Sequence, residues 1–357
     1  MTPRLLEILG CPYDRSALDV TFEDGSDAGL LCPVCKRGYP VIRGIPRALP
    51  DELWTEVLRE ETAYFGKHRS WWEALPNARA GTVPEASGDA ETARRTMRSF
   101  GYQWTRFLDE PDRELAGDFA EYLHPLGEAD FRGRLVLDAG CGNGRFLRMA
   151  RVRGAEVVGL DLSAAVGSAA ALLEGYPGAH VIQGSLLMPP LRVPFDLVYS
   201  IGVLHHLPKG AGPGVESLSR LLKPAGRLAI WVYSTRRVEE TRLRRIAARM
   251  PLPLLRAASL ALACWLWLRD ILPYRLRKAF RGEAHAQARL RGWGVYHAYR
   301  FHVLWTDLFD MLAPPVEFQY DDAQIRRWME GSGLAVEHLA HIDAFQGWRC
   351  TGRKGQG

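Results

Sequence analysis

Two pairs of closely spaced side chains near the N-terminus have the types and spacing to hold a metal. Cys11-Pro12-Tyr13-Asp14 and Cys32-Pro33-Val34-Cys35 each put two donors on a tight turn, with proline second in both. Two such knuckles supply four ligands to one tetrahedral cation. Asp14 stands where a fourth thiolate would be expected. Carboxylate oxygen also ligates zinc, so Cys11, Asp14, Cys32 and Cys35 make a workable set, weaker than four thiolates. Four protein ligands leave no open coordination position, so such a centre would be structural. Without a metal, the same residues read as small buried thiols and a turn-capping aspartate.

A second constellation lies in mid-chain. The apolar run Val136-Leu137-Asp138 enters Ala139-Gly140-Cys141-Gly142-Asn143-Gly144, a G-x-G-x-G turn whose bare backbone leaves room for a ligand. A helix starting at Gly144 would aim its N-terminus at that ligand. Asp161 ends the next apolar run, 17 residues after Gly144, where a carboxylate can accept from both hydroxyls of a ribose. A dinucleotide would favour G-x-G-x-x-G and room for a pyrophosphate. Asp138 would repel that group but suits a ligand with an ammonium end, and S-adenosylmethionine joins a ribose to an ammonium and a positive sulfonium.

Methyl transfer from a sulfonium is an in-line displacement, so the protein mainly has to align the acceptor and exclude water. His205 and His206 follow the run 195–199, at the carboxyl end of a strand, where ligands of such sheets bind. His206, and less directly His205, is a candidate general base, and the pair equally suits an aromatic wall. Tyr296, His297, Tyr299, His302, Trp305 and Asp307 form a second polar-aromatic set. Positions 295, 299 and 302 fit one helix face, which makes core packing its default reading.

These words resemble two known families. LLEILGCPYD, LLCPVC and GYPVIRGIPRAL, over about residues 2–50, resemble the zinc-ribbon activator subunits that partner tRNA and release-factor methyltransferases. That resemblance implies a small ribbon of strands with a helix. VLDAGCGNGRF, VVGLDLS, FDLVYSIGVLHHL and LLKPAGRLAIWVY resemble the successive motifs of class I S-adenosylmethionine-dependent methyltransferases, over roughly residues 96–235 and 320–352. This second resemblance implies a doubly wound, Rossmann-like seven-stranded α/β sheet. It places Asp138 and Gly140 at the methionine end, with Gly142 and Gly144 completing the turn, and Asp161 on the ribose. Leu162 would flank the adenine, and Ile201 joins the cofactor-binding set. Where Ser185 stands the family often has Asp to receive the adenine amino group; Ser185 could accept that bond through its hydroxyl, with Leu186 donating from its backbone. SFGYQWTRF resembles a segment that closes as a helix over the cofactor, making Tyr102, Gln103 and Trp104 lid candidates beside the plain reading of aromatic packing.

The elements that must position these residues follow from the alternation of buried runs with amphipathic segments. Runs at 135–138, 156–161, 179–183, 195–199 and 227–233 alternate with helical patterns at 144–152, 163–174 and 213–222, which predicts a parallel sheet in a doubly wound α/β domain. A helix at 322–332 and strands at 334–341 and 346–352 close it. Residues 51–75 read as helical and aromatic, and 76–90, PNARAGTVPEASGDA, as a flexible linker and domain boundary. The expected divisions are a zinc-ribbon-like domain at 1–50, a helical segment and linker at 51–95, the methyltransferase core at 96–235, a helical cap insertion at 236–320 and the end of the core at 321–357.

Hydrophobic residues make up 47% of the 357 and charged residues 24%, which excludes a mainly disordered or fibrous chain. Six cysteines in this length do not make a disulfide scaffold, and MTPRLLEILGCPYDRS lacks a signal-peptide core, so a cytoplasmic setting is expected. Residues 236–300 carry 15 Lys+Arg against 4 Asp+Glu, a balance of +11 in a chain of net +5. The run 257–268, AASLALACWLWL, sits inside that island. Twelve apolar residues are too few to span a bilayer, so a buried cap helix is expected, or a peripheral membrane contact through 251–281. A long aliphatic run argues against a nucleic-acid surface. The expectation is methyl transfer from S-adenosylmethionine to a small apolar or anionic acceptor, with a structural Zn2+ in the ribbon. Beside it stand RNA or protein methylation, and a non-catalytic partner of another methyltransferase.

Overall fold

In the computed structural model the described residues are 1–80, 88–106, 112–236, 247, 250–290, 292–343 and 345–356. The chain opens with α1 (Pro3–Ile8), started by the Thr2 hydroxyl accepting from Leu5 N and by Pro3 in the first turn. An antiparallel meander follows: β1 (Asp19–Asp24), β2 (Asp27–Leu31), β3 (Gly38–Ile42) and β4 (Ile45–Ala48). Its covered side is packed by α2 (Trp54–Glu60), α3 (Thr62–Lys67), α4 (Arg69–Glu73) and α5 (Pro76–Ala80), which bury Trp54, Tyr64, Phe65 and Trp72. The Asn77 amide clamps β3 from both sides, accepting from Gly38 N at 3.0 Å and donating to Gly38 O at 2.8 Å. The expected linker is therefore helical on both flanks, α5 before it and α6 (Gly88–Trp104) after it; residues 81–87 lie outside the described set.

After α7 (Asp112–Leu123) come β5 (Leu135–Ala139), α8 (Arg145–Val152), β6 (Glu156–Asp161), α9 (Val166–Leu172), β7 (Ala179–Gly184), β8 (Phe195–Ile201), α10 (Ala211–Ser219) and β9 (Leu222–Tyr233). β5 is buried at every position, as a parallel strand covered on both faces must be. α10 is shorter and β9 longer than the sequence pattern suggests: the apolar run continues through Leu221-Leu222 into the strand, where Phe195 pairs with Leu222.

The sheet order is β1-β2-β3-β4-β7-β6-β5-β8-β9-β11-β10, with β10 (Leu334–Ile342) and β11 (Gly347–Lys354) antiparallel at the far edge. Seven of these strands form the expected doubly wound sheet. The order reverses between β5 and β8, and ligands of such sheets bind at the carboxyl ends beside that switch point. The remaining four belong to the ribbon: β4 pairs in parallel with β7, Arg47 against Gln183 and Ala48 against Gly184, so one eleven-stranded sheet runs through both parts. Arg47, buried, donates to Gln183 Oε1 at 3.0 Å, and Gln183 Nε2 donates on to Leu162 O at 3.0 Å.

The described residues form two compact units, one of residues 1–105, 111–238 and 316–357, the other of 239–315 with 106–110. The second contains α11 (Leu252–Leu266), α12 (Leu272–Arg281), α13 (Glu283–Gln287) and α14 (Phe301–Leu312). Its core is Ala263, Leu266, Ile271, Leu304 and Leu308. The twelve-residue apolar run proves to be part of a longer element. A π-helical turn at Trp267–Ile271 joins α11 to α12, giving one continuous helix of 30 residues, Leu252–Arg281, long and apolar enough by length and composition to cross a membrane. The single helix face expected across 295, 299 and 302 does not form: Gly292–Ala298 is a 3-10 helix, Arg300 is extended, and α14 starts at Phe301.

Candidate functional site

The two knuckles near the N-terminus repeat one another bond for bond. Arg15 N donates to Cys11 O at 2.8 Å and Lys36 N to Cys32 O at 3.0 Å; Cys11 N donates to Ser16 O and Cys32 N to Arg37 O, each at 2.9 Å. Arg15 and Lys36, each just after the second donor, share the left-handed conformation at φ 61° and 60°. Asp14 thus occupies a true knuckle position. The ligand atoms of Cys11, Asp14, Cys32 and Cys35 lie within 4.8 Å of one another, with Cys11 Sγ 3.5 Å from Cys35 Sγ and Asp14 Oδ2 3.3 Å from Cys32 Sγ. With Zn–S near 2.3 Å, tetrahedral ligands sit ~3.8 Å apart, so the set is compatible with zinc after side-chain shifts of about 1 Å. Burial pushes the Cys11 thiol up to about 12 when no cation is bound, which leaves it a poor nucleophile. The Ser16 hydroxyl and amide hold Asp14 down at about 2, ready as a carboxylate.

The glycine turn sits where β5 ends. Gly140, Gly142 and Gly144 have φ 96°, 52° and 84°, a backbone that other residues rarely adopt. The glycines are needed for packing as well as ligand access: a Cβ on Gly140 would lie 2.4 Å from Val203 Cγ2, and one on Gly144 2.9 Å from Ala169 Cα. Asp161 closes the loop from β6, its Oδ2 accepting from Gly142 N at 2.9 Å and its Oδ1 from Ser163 N at 2.8 Å. Asp138 is 3% exposed and accepts from Tyr199 Oη at 3.0 Å. Burial raises its carboxyl to about 8, with Asp161 adding to the rise and Arg145 opposing it. Burial likewise raises Asp161, against the Ser163 and Gly142 hydrogen bonds.

α6 lies over this corner. Trp104 comes within 3.4 Å of the Cβ position of Gly142, and Arg145 stacks over its ring at 4.7 Å. A Cβ on Gly101 would lie 3.4 Å from Ala164 N, so the helix rests on the segment after β6; Tyr102 is half-buried there. One turn apart on α6, Ser99 and Gln103 are buried, and the Ser99 hydroxyl and both amide atoms of Gln103 have no hydrogen-bond partner among the described residues. Orphaned groups of this kind cost about 1–3 kcal/mol each, so a polar ligand is the natural completion. Gln103 was expected among the lid residues. Ser99, Tyr199 and Val203 were not, although Ser99 stands four residues before Gln103 in an amphipathic helix, the one sequence signal that pairs them.

The other sequence candidates scatter around the turn. Leu162 O is fixed by Gln183, Ser185 Oγ accepts from Leu187 N at 3.2 Å, and Leu186 O accepts from Ser217 at 2.7 Å. Ile201 pairs with Trp231 and packs with the cluster of Trp231, Tyr233 and Ile342. His205 and His206 are buried; His205 lies over Tyr233 at 4.0 Å, and His206 meets Phe100 of α6 at 5.1 Å. His206 Nδ1 is 2.9 Å from Val316 O; a carbonyl only accepts, so Nδ1 carries the proton and Nε2 is the basic nitrogen of the neutral ring. The second set is tied up within its own unit. Tyr296 donates to Asp307 at 2.9 Å, His297 stacks on Tyr274 at 4.0 Å, and Trp305 donates to Ser259 at 3.1 Å.

Parts of the chain are similar to known proteins. Residues 137–230 match the Methyltransferase domain family and residues 2–44 the Trm112p-like protein family. A tRNA U34 carboxymethyltransferase of Hahella chejuensis is 28% identical over 218 residues, 52% of this chain and 65% of that one. A ubiquinone biosynthesis O-methyltransferase of Paracidovorax citrulli is 36% identical over 112 residues, 30% of this chain and 45% of that one. The chain covers 45–65% of the length of these and two other curated relatives. The solved 1,6-didemethyltoxoflavin-N1-methyltransferase of Burkholderia thailandensis aligns with TM-score 0.44 at 14% identity, over 77% of this chain and 93% of that one. The chain joins an N-terminal Trm112p-like domain to a methyltransferase domain.

Proposed function

We propose that this chain transfers a methyl group from S-adenosylmethionine to a small-molecule acceptor. The observation that carries the reading is the corner where β5 and β6 end. The buried Asp138 and the half-buried Asp161 have no ion-pair partner among the described residues there, and α6 covers them with Ser99 and Gln103, whose side chains are unpaired among those residues. A ligand with an ammonium, a ribose and an adenine answers each of those needs. Asp138 holds the ammonium end, Asp161 turns from Ser163 and Gly142 to the ribose hydroxyls, and Leu162 and Ser185 border the base. The bound cofactor supplies an electrophilic methyl on a sulfonium. The protein aligns the acceptor and excludes water, with α6 as the cover and Phe100 and His206 as a wall. His206 Nε2 can take a proton from an acidic acceptor.

Calorimetry with the cofactor tests the site. Asp161→Ala removes a charged acceptor worth about 1.5–3 kcal/mol, so affinity should drop roughly ten- to a hundredfold; an unchanged affinity rejects the ribose assignment.

The raised Asp138 carboxyl gives a second, pH-linked result. The group is protonated in the free protein up to about 8 and must ionise to meet an ammonium. Binding near pH 7 should therefore release about one proton per cofactor, and affinity should tighten as pH rises toward that value. Asp138→Asn should bind more weakly and release none. Equal proton release from both proteins excludes Asp138 as the ammonium's partner.

The ubiquinone relative favours a small acceptor, and the Hahella relative favours a tRNA one. Labelled cofactor added with cell extract separates them: label in the small-molecule fraction supports the first, label in RNA the second.

A further inference from the structure

The continuous helix Leu252–Arg281 has one packed side and one bare side. Leu255, Ser259, Ala263, Leu266, Ile271 and Tyr274 are buried, three or four residues apart except for the step from Leu266 to Ile271. Leu254, Leu260, Trp265, Leu268, Leu276 and Phe280 are exposed, Leu268 at 59% and Phe280 at 82%. The π-helical turn at Trp267–Ile271 explains how both sides persist. A helix turns 100° per residue, so one residue added within a turn rotates everything after it. Leu254, Ala261 and Leu268 are seven apart, and Leu276 follows at eight. The extra residue returns Leu276 and Phe280 to the bare face and Ile271 and Tyr274 to the packed one. An uninterrupted α-helix would carry Leu276 and Phe280 about 100° off the stripe. The apolar stripe thus runs from residue 254 to 280, ~39 Å at 1.5 Å per residue.

The charge beside the stripe has one sign. Leu252–Arg281 holds six Lys/Arg and one acidic residue, Asp270, and that aspartate is engaged by Arg269 at 2.7 Å. By the same geometry Arg269, Arg277 and Arg281 fall along one flank of the stripe. Two copies of this face pressed together would oppose like charges, whereas an anionic surface would meet both stripe and flank.

We propose that this helix lies flat on an anionic lipid bilayer, its apolar stripe in the acyl boundary and its arginines among the headgroup phosphates. The opposite side stays packed on Leu304 and Leu308, so the helix rests on the surface and does not cross it. The inference is independent of the methyl acceptor and stands or falls by membrane binding alone.

The test is sedimentation of the full chain with vesicles. Phosphatidylglycerol–phosphatidylcholine vesicles should carry it down at low salt, and pure phosphatidylcholine should not. Leu268→Glu with Phe280→Glu, both at exposed positions, should reduce binding about a hundredfold or more, since two large side chains lose their burial. Arg277→Gln and Arg281→Gln should each weaken it about fivefold and flatten its salt dependence. Cys264, the one exposed cysteine, lies on the stripe's edge, and a polarity-sensitive dye there should shift to the blue only with anionic vesicles. Binding that ignores lipid charge, or that survives the double glutamate change, overturns the proposal. So does a concentration-dependent dimer that the double change abolishes while vesicles leave the chain in solution, which would give the face to a second copy. Sedimentation is read beside circular dichroism, so that an unfolded variant is recognised and replaced by Leu268→Ser with Phe280→Ser.

Discussion

Gly140→Ala is expected to destabilise the protein by about 2–6 kcal/mol and to empty the cofactor corner. Two costs add. A φ of 96° strains any residue with a Cβ, at about 1–3 kcal/mol. That Cβ would also lie 2.4 Å from Val203 Cγ2 and 2.7 Å from its Cγ1. Val203 is short and branched at Cβ, so it cannot swing aside as a long side chain would, and overpacking of this kind costs about 1–3 kcal/mol. The two parts can be separated. Val203→Ala opens the space the new methyl needs, so the double variant should be more stable than the two single losses predict, by at least about 1 kcal/mol. The conformational part should remain. Gly133→Ala is the control: its φ is 68°, but no atom lies within 4 Å of a Cβ there, so it should show the conformational cost alone. Denaturant unfolding of the parent and these four variants measures all of this. Strict additivity between positions 140 and 203 removes the steric explanation.

Much of this corner was legible because local pattern fixes it. A buried run ending in Asp138, a glycine turn, and a second buried run ending in Asp161 can lie together only if the two runs are neighbouring parallel strands, as β5 and β6 are. The knuckles were legible for the same reason, each being a closed turn of a few residues. What the sequence hid depends on contacts between distant segments. Nothing in IPRA announces that β4 will pair with β7, because an edge strand carries no mark of its neighbour. Arg47 looks like a surface residue in that string, yet it is buried and its positive charge is held beside Glu61. Tyr199 became a partner of Asp138 only through the β5–β8 register. In the sequence Arg269 bounds the apolar run and Pro273 follows it, a residue that ordinarily breaks a helix, so the long helix is hidden. Pro273 falls at the second position of α12, just after the π-helical turn, where the ladder is already irregular.

Cys32→Ser is expected to strip the metal from the chain. Protein purified without chelator should carry about one zinc, and the variant essentially none, because serine offers a poorly ionised hydroxyl where a thiolate is needed. The loss should be graded in space. The turns at 11–16 and 32–37 meet through the four donors and through Arg37 stacked over Tyr13 at 4.0 Å, so amides there and in β2 and β3 should lose exchange protection first. The methyltransferase strands should stay folded, since β7 merely becomes an edge. Cofactor affinity should fall a few-fold, through the chain from Arg47 to Gln183 to Leu162. Asp14 supplies the sharper measurement. Asp14→Ala should lose metal to a chelator at least about tenfold more readily than the parent, and Asp14→Cys should hold it more tightly, a fourth thiolate being the softer ligand. The matched turns, with Arg15 and Lys36 in the same left-handed conformation, mean a cysteine at 14 needs no backbone change to reach the site. If Asp14→Ala and Asp14→Cys release zinc at the parent's rate, Asp14 is no ligand and the centre is held by the three thiolates with water.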